Sequence, residues 1–345
     1  MENDIRKWRF IDLFSGIGGF RLGFQKAGFK PVYSNDFDRW CKVTYEANFG
    51  EGTLDQRPIE AVGSEEIPKS EIILAGFPCQ PFSMAGKQKG FNDKRGHAFF
   101  ELARVIRDKQ PEVIVLENVK HIVSHDKKRT FEIIKHTLEN DLGYHMYYKV
   151  LNAKDYGLPQ DRKRIYMVGF RDNVEFEFPQ PLEIKPKIKD ILDHEVDESY
   201  FLSEKYLEGL EKHKERHRAK GQGFGFEVLD MDGIAHALVV GNMGRERNLI
   251  QDKPRKHFYK DGDDKATTKN EKGVRKLTEK ECSRIQGFPE NFKCPVCKTK
   301  AYAQFGNAVA VPVVYAVAMS IRKALLKHNR LKIKLTQPSK DLVKI

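Results

Sequence analysis

The chain has 345 residues, 40% of them hydrophobic and 32% charged, and a formal net charge of +12, with an isoelectric point near 9.2. That apolar share builds one large core plus a smaller one and excludes a disordered chain, and no apolar run reads as long enough to span a bilayer. Five scattered cysteines (Cys41, Cys79, Cys282, Cys294, Cys297) exclude a disulfide framework and point to a reducing cytoplasm.

The N-terminus, Met1-Glu2-Asn3-Asp4, is acidic and lacks a signal-peptide core. Phe10 to Phe14 then reads as a strand, Gly19 to Ala27 as a helix, Pro31 to Ser34 as a second strand and Arg39 to Asn48 as a second helix. Apolar runs at Ile72–Ala75, Val113–Leu116 and Ile165–Val168 continue the strands, and Ala98–Lys109 and Thr130–Asn140 have helical spacing. Strands alternating with helices predict an α/β fold with a mostly parallel sheet covered on both faces. Ligands bind such sheets beyond the carboxyl ends of the strands, and Gly16–Gly19, Asp36, Pro78-Cys79 and Glu117-Asn118 all fall at that edge. After Pro179 the periodicity breaks, and the polar, glycine-dotted stretch to Lys300 reads as a second, irregular domain. Ala301 to Leu326 returns to an apolar helical pattern that packs back on the first core, and Lys327 to Ile345 is a Lys-rich tail, loosely held.

Pro78-Cys79-Gln80, at the end of a strand-like run, is the most informative stretch. A thiolate is the reactive form of cysteine, and a turn rich in backbone N–H groups favours it. A ring such as cytosine is a poor electrophile at C6 unless N3 is protonated. Glu117, leaving a buried strand, can serve there, because burial raises a carboxyl's pKa and keeps its proton. Arg162 and Arg164, two apart on an extended segment, share a face and can steady a thiolate, a base carbonyl or a phosphate. Read singly, Cys79 is equally an inert buried thiol and the arginines a solvated edge; together at one sheet edge they make a site. The strand–glycine-loop–helix start at Gly16, Gly18 and Gly19 lets a nucleotide approach the backbone, although a simple tight turn gives the same pattern. Asp36, about twenty residues on, suits ribose hydroxyls, and Phe37 suits an adenine face. The alternatives are a helix cap for Asp36 and a core position for Phe37. Cys294-Pro295-Val296-Cys297 lacks a second ligand pair, so no metal is assigned.

Taken in order, these segments resemble the bacterial DNA (cytosine-5)-methyltransferase family of the restriction-modification type. The matching stretches are Asp12-Leu13-Phe14-Ser15-Gly16-Ile17-Gly18-Gly19-Phe20, Gly76 to Ser83, Glu117-Asn118-Val119 and Gln160-Asp161-Arg162-Lys163-Arg164. Later come Arg275-Lys276-Leu277-Thr278 with Glu281-Cys282, Gln286-Gly287-Phe288-Pro289 and Gln304-Phe305-Gly306-Asn307-Ala308-Val309. The resemblance implies a Rossmann-like, S-adenosylmethionine-dependent methyltransferase sheet over residues 1–187 plus 299–327, a smaller irregular target-recognition domain with its connecting segment over 188–298, and a basic tail over 328–345. It implies methyl transfer to C5 of a cytosine in a short double-stranded sequence, with Cys79 attacking C6 of a flipped-out base and Glu117, Arg162 and Arg164 as the other catalytic residues. It places Phe14, Gly16, Gly18, Gly19, Asp36, Phe37, Pro78, Asn307 and Val309 on S-adenosyl-L-methionine.

For DNA, the resemblance assigns Gln80 to Phe91 to a loop closing over the duplex. Gln80, Ser83, Lys87 and Lys89 are its contact residues, and the glycine-flanked Arg245 and Arg247 read bases or bind phosphate. A monomer, no membrane, a nucleoid-associated cytoplasmic location and pairing with a restriction endonuclease complete the expectation. A tRNA cytosine-5 methyltransferase is the alternative, though its branch's Cys-Phe-Thr signature is absent here. One departure stands out: the family's acidic residue after the third strand, which contacts the adenine amine, is replaced by Pro58, and Asp55 is left unassigned.

Overall fold

The computed structural model describes residues 8–78, 97–221, 225–240, 246–252 and 270–336. Its centre is a six-stranded sheet in the order β2-β1-β3-β4-β7-β5. The strands are β1 (Arg9–Leu13), β2 (Lys30–Asn35), β3 (Ile72–Ala75), β4 (Val113–Val119), β5 (His145–Asn152) and β7 (Lys163–Phe170). The short β6 (Gln160–Asp161) pairs with β8 (Ala235–His236), and β9 (Leu249–Gln251) with β10 (Val274–Lys276).

Strands β2, β1, β3 and β4 run parallel. Ile72 to Ala75 is a continuous apolar run because helices cover both of its faces. On one face Phe10, Leu74, Val115 and Val168 pack with α1 (Gly19–Lys26) and α8 (Val311–Thr336). On the other, Ile11, Ile73, Leu116 and Met167 meet α3 (His97–Lys109) and α4 (Arg129–His136). The α1–α8 contact depends on the absence of a side chain at Gly23: a Cβ there would lie 2.5 Å from Val314 Cγ1.

The expected sheet is corrected at its far side. β7 runs antiparallel to β4 and to β5, and β5 itself has no counterpart among the predicted strands. The ten-residue link from β5 to β7 is too short for a parallel crossover. The reversal brings the start of β7 to the carboxyl edge of β4, where Arg164 sits opposite Val119 and Tyr166 opposite Glu117.

The apolar run from Ala301 also differs: it is two helices, α7 (Lys298–Asn307) and α8, broken ahead of Pro312. Proline is tolerated in a helix's first turn but not inside it. Residues 298–329 contain a window apolar enough by composition to cross a bilayer, which corrects the reading that none does; 56% of that window is buried inside this fold. Helix α8 continues to Thr336, so the first part of the expected loose tail is helical.

The irregular region packs through a third cluster joining Ile250, Leu277 and Ile285 to Ile17, Phe305 and Val311. It carries α5 (Glu204–Ala219) and α6 (Glu279–Ile285). The Arg275 and Glu281 motif residues are buried and form a two-pronged ion pair, with both N–O distances 2.9 Å, and Thr278 caps α6.

Candidate active site

A single cavity of about 610 Å³ opens at the carboxyl edge of the parallel strands. Its first wall is the β1–α1 loop, where Phe14, Gly16 and Gly18 take φ of 54°, 55° and 89°. The left-handed region is cheap for glycine and costly for phenylalanine. The loop is fastened to the end of β2 by Ser15 N–H donating to the Asn35 carbonyl (3.0 Å) and Gly16 N–H to Asp36 Oδ2 (2.8 Å). Asp38, not Asp36, caps the following helix α2 (Arg39–Phe49), accepting from Trp40 N–H at 2.7 Å. Asp36 is thereby free of the capping role and faces the cavity. Burial pushes its carboxyl up, opposed by the amides of Asp38 and Gly16. Phe37 lines the cavity with 67% of its surface exposed, which no core residue would show.

The opposite wall carries Gly76, Phe77, Pro78, Glu117, Arg162 and Arg164. Asn118 Nδ2 donates to the Phe77 carbonyl at 2.8 Å, so the end of β4 positions the turn that leads into Cys79. Glu117 is 8% exposed, and Arg164 Nε lies 3.3 Å from its Oε1. Burial raises the Glu117 carboxyl above its ordinary range, and the Arg164 and Arg162 charges pull it back.

Arg162 lines the cavity while both of its terminal nitrogens hold backbone carbonyls. Its Nη1 donates to the Leu238 carbonyl (2.8 Å), and its Nη2 to those of Gly306 (2.9 Å) and Ala308 (2.8 Å), leaving only Nε without a partner. The Ala308 carbonyl also accepts from Gln286 Nε2 (3.4 Å), so Arg162 and Gln286 hold it together. Arg162 thus ties β7, the irregular region and the α7–α8 break together, and that break presents Asn307 and Val309 to the cavity.

Of the predicted residues, Phe14, Gly16, Gly19, Asp36, Phe37, Pro78, Asn307, Val309, Glu117, Arg162 and Arg164 come together on the cavity wall. Gly18 does not line it: a Cβ there would lie 2.3 Å from Phe49, so its role is close packing of the loop. Cys79, Gln80, Ser83, Lys87, Lys89 and Arg245 lie outside the described residues. Arg247 is exposed in the turn before β9 and away from the cavity.

Asp55 is occupied elsewhere. It accepts from Tyr33 Oη (2.8 Å) and Arg57, whose hydrogen bonds hold its carboxyl down at about 2, while Pro58, Ile59 and Glu60 line the cavity. Segment 54–59 forms no strand, only a bridge of Asp55 to Asn35. Cys294 Sγ donates to Gln304 Oε1 (3.4 Å), and no metal-ligand cluster occurs among the described residues.

Sequence reasoning missed Gln160 and Gln286. Gln160 Nε2 donates to the Ile285 carbonyl (3.1 Å), its Oε1 accepts from Leu238 N–H (2.9 Å), and Gln286 Nε2 holds the Phe305 carbonyl (2.5 Å). Both had been quoted as motif residues. Neither glutamine stands out in its local sequence, since both sit next to or near charged residues, and what they hold is backbone far along the chain.

The wall fits a nucleoside cofactor: an exposed aromatic face, a carboxylate beside it and a glycine loop for close backbone approach. The family model for C-5 cytosine-specific DNA methylase matches residues 8–323. The type II methyltransferase M.HpaII of Haemophilus parainfluenzae is 45% identical over 324 residues, covering 92% of this chain and 90% of that one. M.HhaI of Haemophilus parahaemolyticus is 40% identical over 329 residues, covering 92% and 95%. Among solved structures, the Entamoeba histolytica methyltransferase EhMeth superposes with a TM-score of 0.73 at 21% identity, covering 93% of this chain and 99% of that one, a likeness of fold. With the family model spanning most of its length and relatives this similar, the chain belongs to the C-5 cytosine-specific DNA methylase family and is a DNA (cytosine-5-)-methyltransferase.

Proposed function

We propose that the chain methylates C5 of one cytosine within a specific short duplex sequence, by covalent catalysis from Cys79 on a base flipped out of the helix, and so shields that DNA from a cognate restriction endonuclease. The observation that carries this is one continuous cavity with Asp36 and Phe37 in its wall and a buried Glu117–Arg164 pair facing the turn that ends at Pro78. S-adenosylmethionine, when bound, supplies an electrophilic methyl group. Phe37 would stack on its adenine, Asp36 would accept from its ribose hydroxyls, and the β1–α1 loop with Asn307 and Val309 would hold the rest.

Cys79 Sγ forms a bond to C6 of cytosine, and the electron pair moves to N3 as Glu117 gives N3 its proton. The ring, now electron-rich at C5, would accept the methyl, with a neutral thioether left on the donor side. A water then takes the C5 proton, the freed electron pair expels Cys79 as thiolate, and N3 returns its proton to Glu117 as the aromatic ring is restored. A covalent route divides one difficult displacement into easier steps, and the target atom is reachable only once the base has left the stack. Arg164 holds Glu117 in place, while Arg162 acts through the backbone and positions the wall. Arg245 and Arg247 read base edges or phosphates from the irregular region, which Leu238 to Val240 press against Gly306: a Cβ at Gly306 would lie 3.0 Å from the Val239 carbonyl carbon.

Action as a monomer on nucleoid DNA in the cytoplasm is part of the same proposal. The test is transfer of labelled methyl from S-adenosylmethionine to duplex DNA and to tRNA in parallel, with bisulfite sequencing of the duplex. The expected result is label at one cytosine of a recurring short duplex sequence; transfer to tRNA alone overturns the reading.

A further inference from the structure

Directly after the cavity-lining Val119, the chain enters a basic stretch, Lys120 to Arg129, whose lysines and Arg129 are exposed and which no part of the proposed chemistry uses. Its turn is unusual. Asp126, Lys127 and Lys128 are three successive non-glycine residues in the left-handed region, with φ of 48°, 54° and 72°. An isolated Asp takes this conformation at modest cost, whereas lysine has no local hydrogen bond to offset the clash of its Cβ. Such a run persists only where the surroundings over-determine it.

Here they do. Arg129 donates to the Asp126 carbonyl from Nε (3.2 Å) and to its carboxylate from Nη2, and His125 Nδ1 is bonded to Oγ1 of the fully buried Thr130 (2.7 Å). The one acidic residue of the stretch is therefore spent on Arg129. Lys120, Lys127 and Lys128 are exposed, and none forms an ion pair among the described residues. A turn serving only to join β4 to α4 would be cheaper with glycine or asparagine. Instead the fold carries strain to hold cations in the link that leaves the carboxyl end of β4, the sheet edge at which the cavity opens.

We infer that Lys120, Lys127 and Lys128 form a docking surface for the phosphate backbone of the substrate duplex, beside the base that enters the cavity. This rests on the DNA reading above and extends it to a surface outside the irregular region. Uncompensated lysines held by a rigid backbone on the active face match a regular polyanion; their contribution is affinity and register, not sequence choice.

The test compares two triple variants that remove equal charge. One is Lys120→Gln/Lys127→Gln/Lys128→Gln. The other neutralises Lys30, which begins β2, and Lys69 and Lys109, which precede β3 and β4, at the opposite sheet edge. Binding of cognate duplex is measured against salt, with the cofactor's dissociation constant as the control for folding. Each lost phosphate contact removes about 0.9 from the slope of log K against log salt, so the first variant is expected to lose about 2.7 units and bind about 10- to 100-fold more weakly at low salt. The opposite-edge variant keeps the wild-type slope, and Lys→Arg at the three positions restores it. A third variant, Lys127→Gly/Lys128→Gly, relieves the backbone and removes the charge; it is expected to melt no lower than wild type and still lose slope. An unchanged slope in the first variant, or an equal loss in both triple variants, overturns the inference. A wild-type protein whose duplex binding ignores salt would instead defeat the DNA reading itself.

Discussion

Glu117→Gln is expected to lower kcat by about 10³-fold, within the range of a lost general acid, and to leave the fold standing. The amide keeps the shape and can still donate a hydrogen bond to N3, but it cannot deliver a proton. Burial raises the Glu117 carboxyl above its ordinary range, so the folded protein keeps a proton there that the unfolded chain has already released. The sign follows: stability from this group falls as pH rises from the ordinary carboxylate range towards the folded value. A neutral glutamine escapes that loss but leaves Arg164 without its partner, so the melting temperature should move by only about 3 °C. The wild-type rate falls on the alkaline side as Glu117 loses its proton, and that limb disappears in the variant. A kcat loss under tenfold, or an unaltered pH profile, contradicts the proton-donor role.

Arg162→Ala has the largest expected effect on stability. It removes a donor from the carbonyls of Leu238, Gly306 and Ala308 at once, the last of which keeps only the longer bond from Gln286 (3.4 Å). A buried polar group left unpaired costs about 1–3 kcal/mol. Even with water replacing some of these bonds, a loss of about 3–6 kcal/mol follows, or roughly 10 °C in melting temperature. The guanidinium is itself disfavoured by its burial, and further by Arg164, so its pKa falls to about 9 although Glu117 pulls the other way. It therefore remains charged at neutral pH, and the three carbonyls are what make its position tolerable. Cofactor affinity should weaken together with stability, because Gly306 to Val309 form part of the cavity wall. Arg162→Lys, whose point-like ammonium cannot span three acceptors, should restore only part of each. Calorimetry and equilibrium dialysis measure the two; a variant as stable as wild type would return Arg162 to a purely catalytic role.

Strands β1, β3 and β4 were legible because each is a short apolar run closed by a turn residue, and runs buried on both faces leave little ambiguity. Strand β5 was not, since its side chains are mostly half-exposed and give neither a continuous run nor a clean alternation. The reversal of β7 had a legible cause in its short link to β5. Asp36 and Phe37 were readable only as a pair of alternatives. The structure separates them, since Asp38 is the cap and Phe37 stands exposed. Arg162 and Gln160 were found as motif residues, but what they hold is the backbone of segments more than seventy residues away. No local pattern encodes such partners. Lys127 and Lys128 drew no reading from the sequence, because a positive φ at lysine leaves no trace in composition.

One sulfur decides the chemistry. Cognate duplex carrying 5-fluorocytosine at the target position, incubated with the protein and S-adenosylmethionine, should yield a denaturation-resistant adduct, because fluorine at C5 cannot leave as a proton does. Peptide mapping by mass spectrometry should place the cross-link on Cys79, and Cys79→Ser should bind the same duplex while forming none. Methyl transfer with no adduct, or an adduct that persists in Cys79→Ser, would contradict covalent catalysis from this residue.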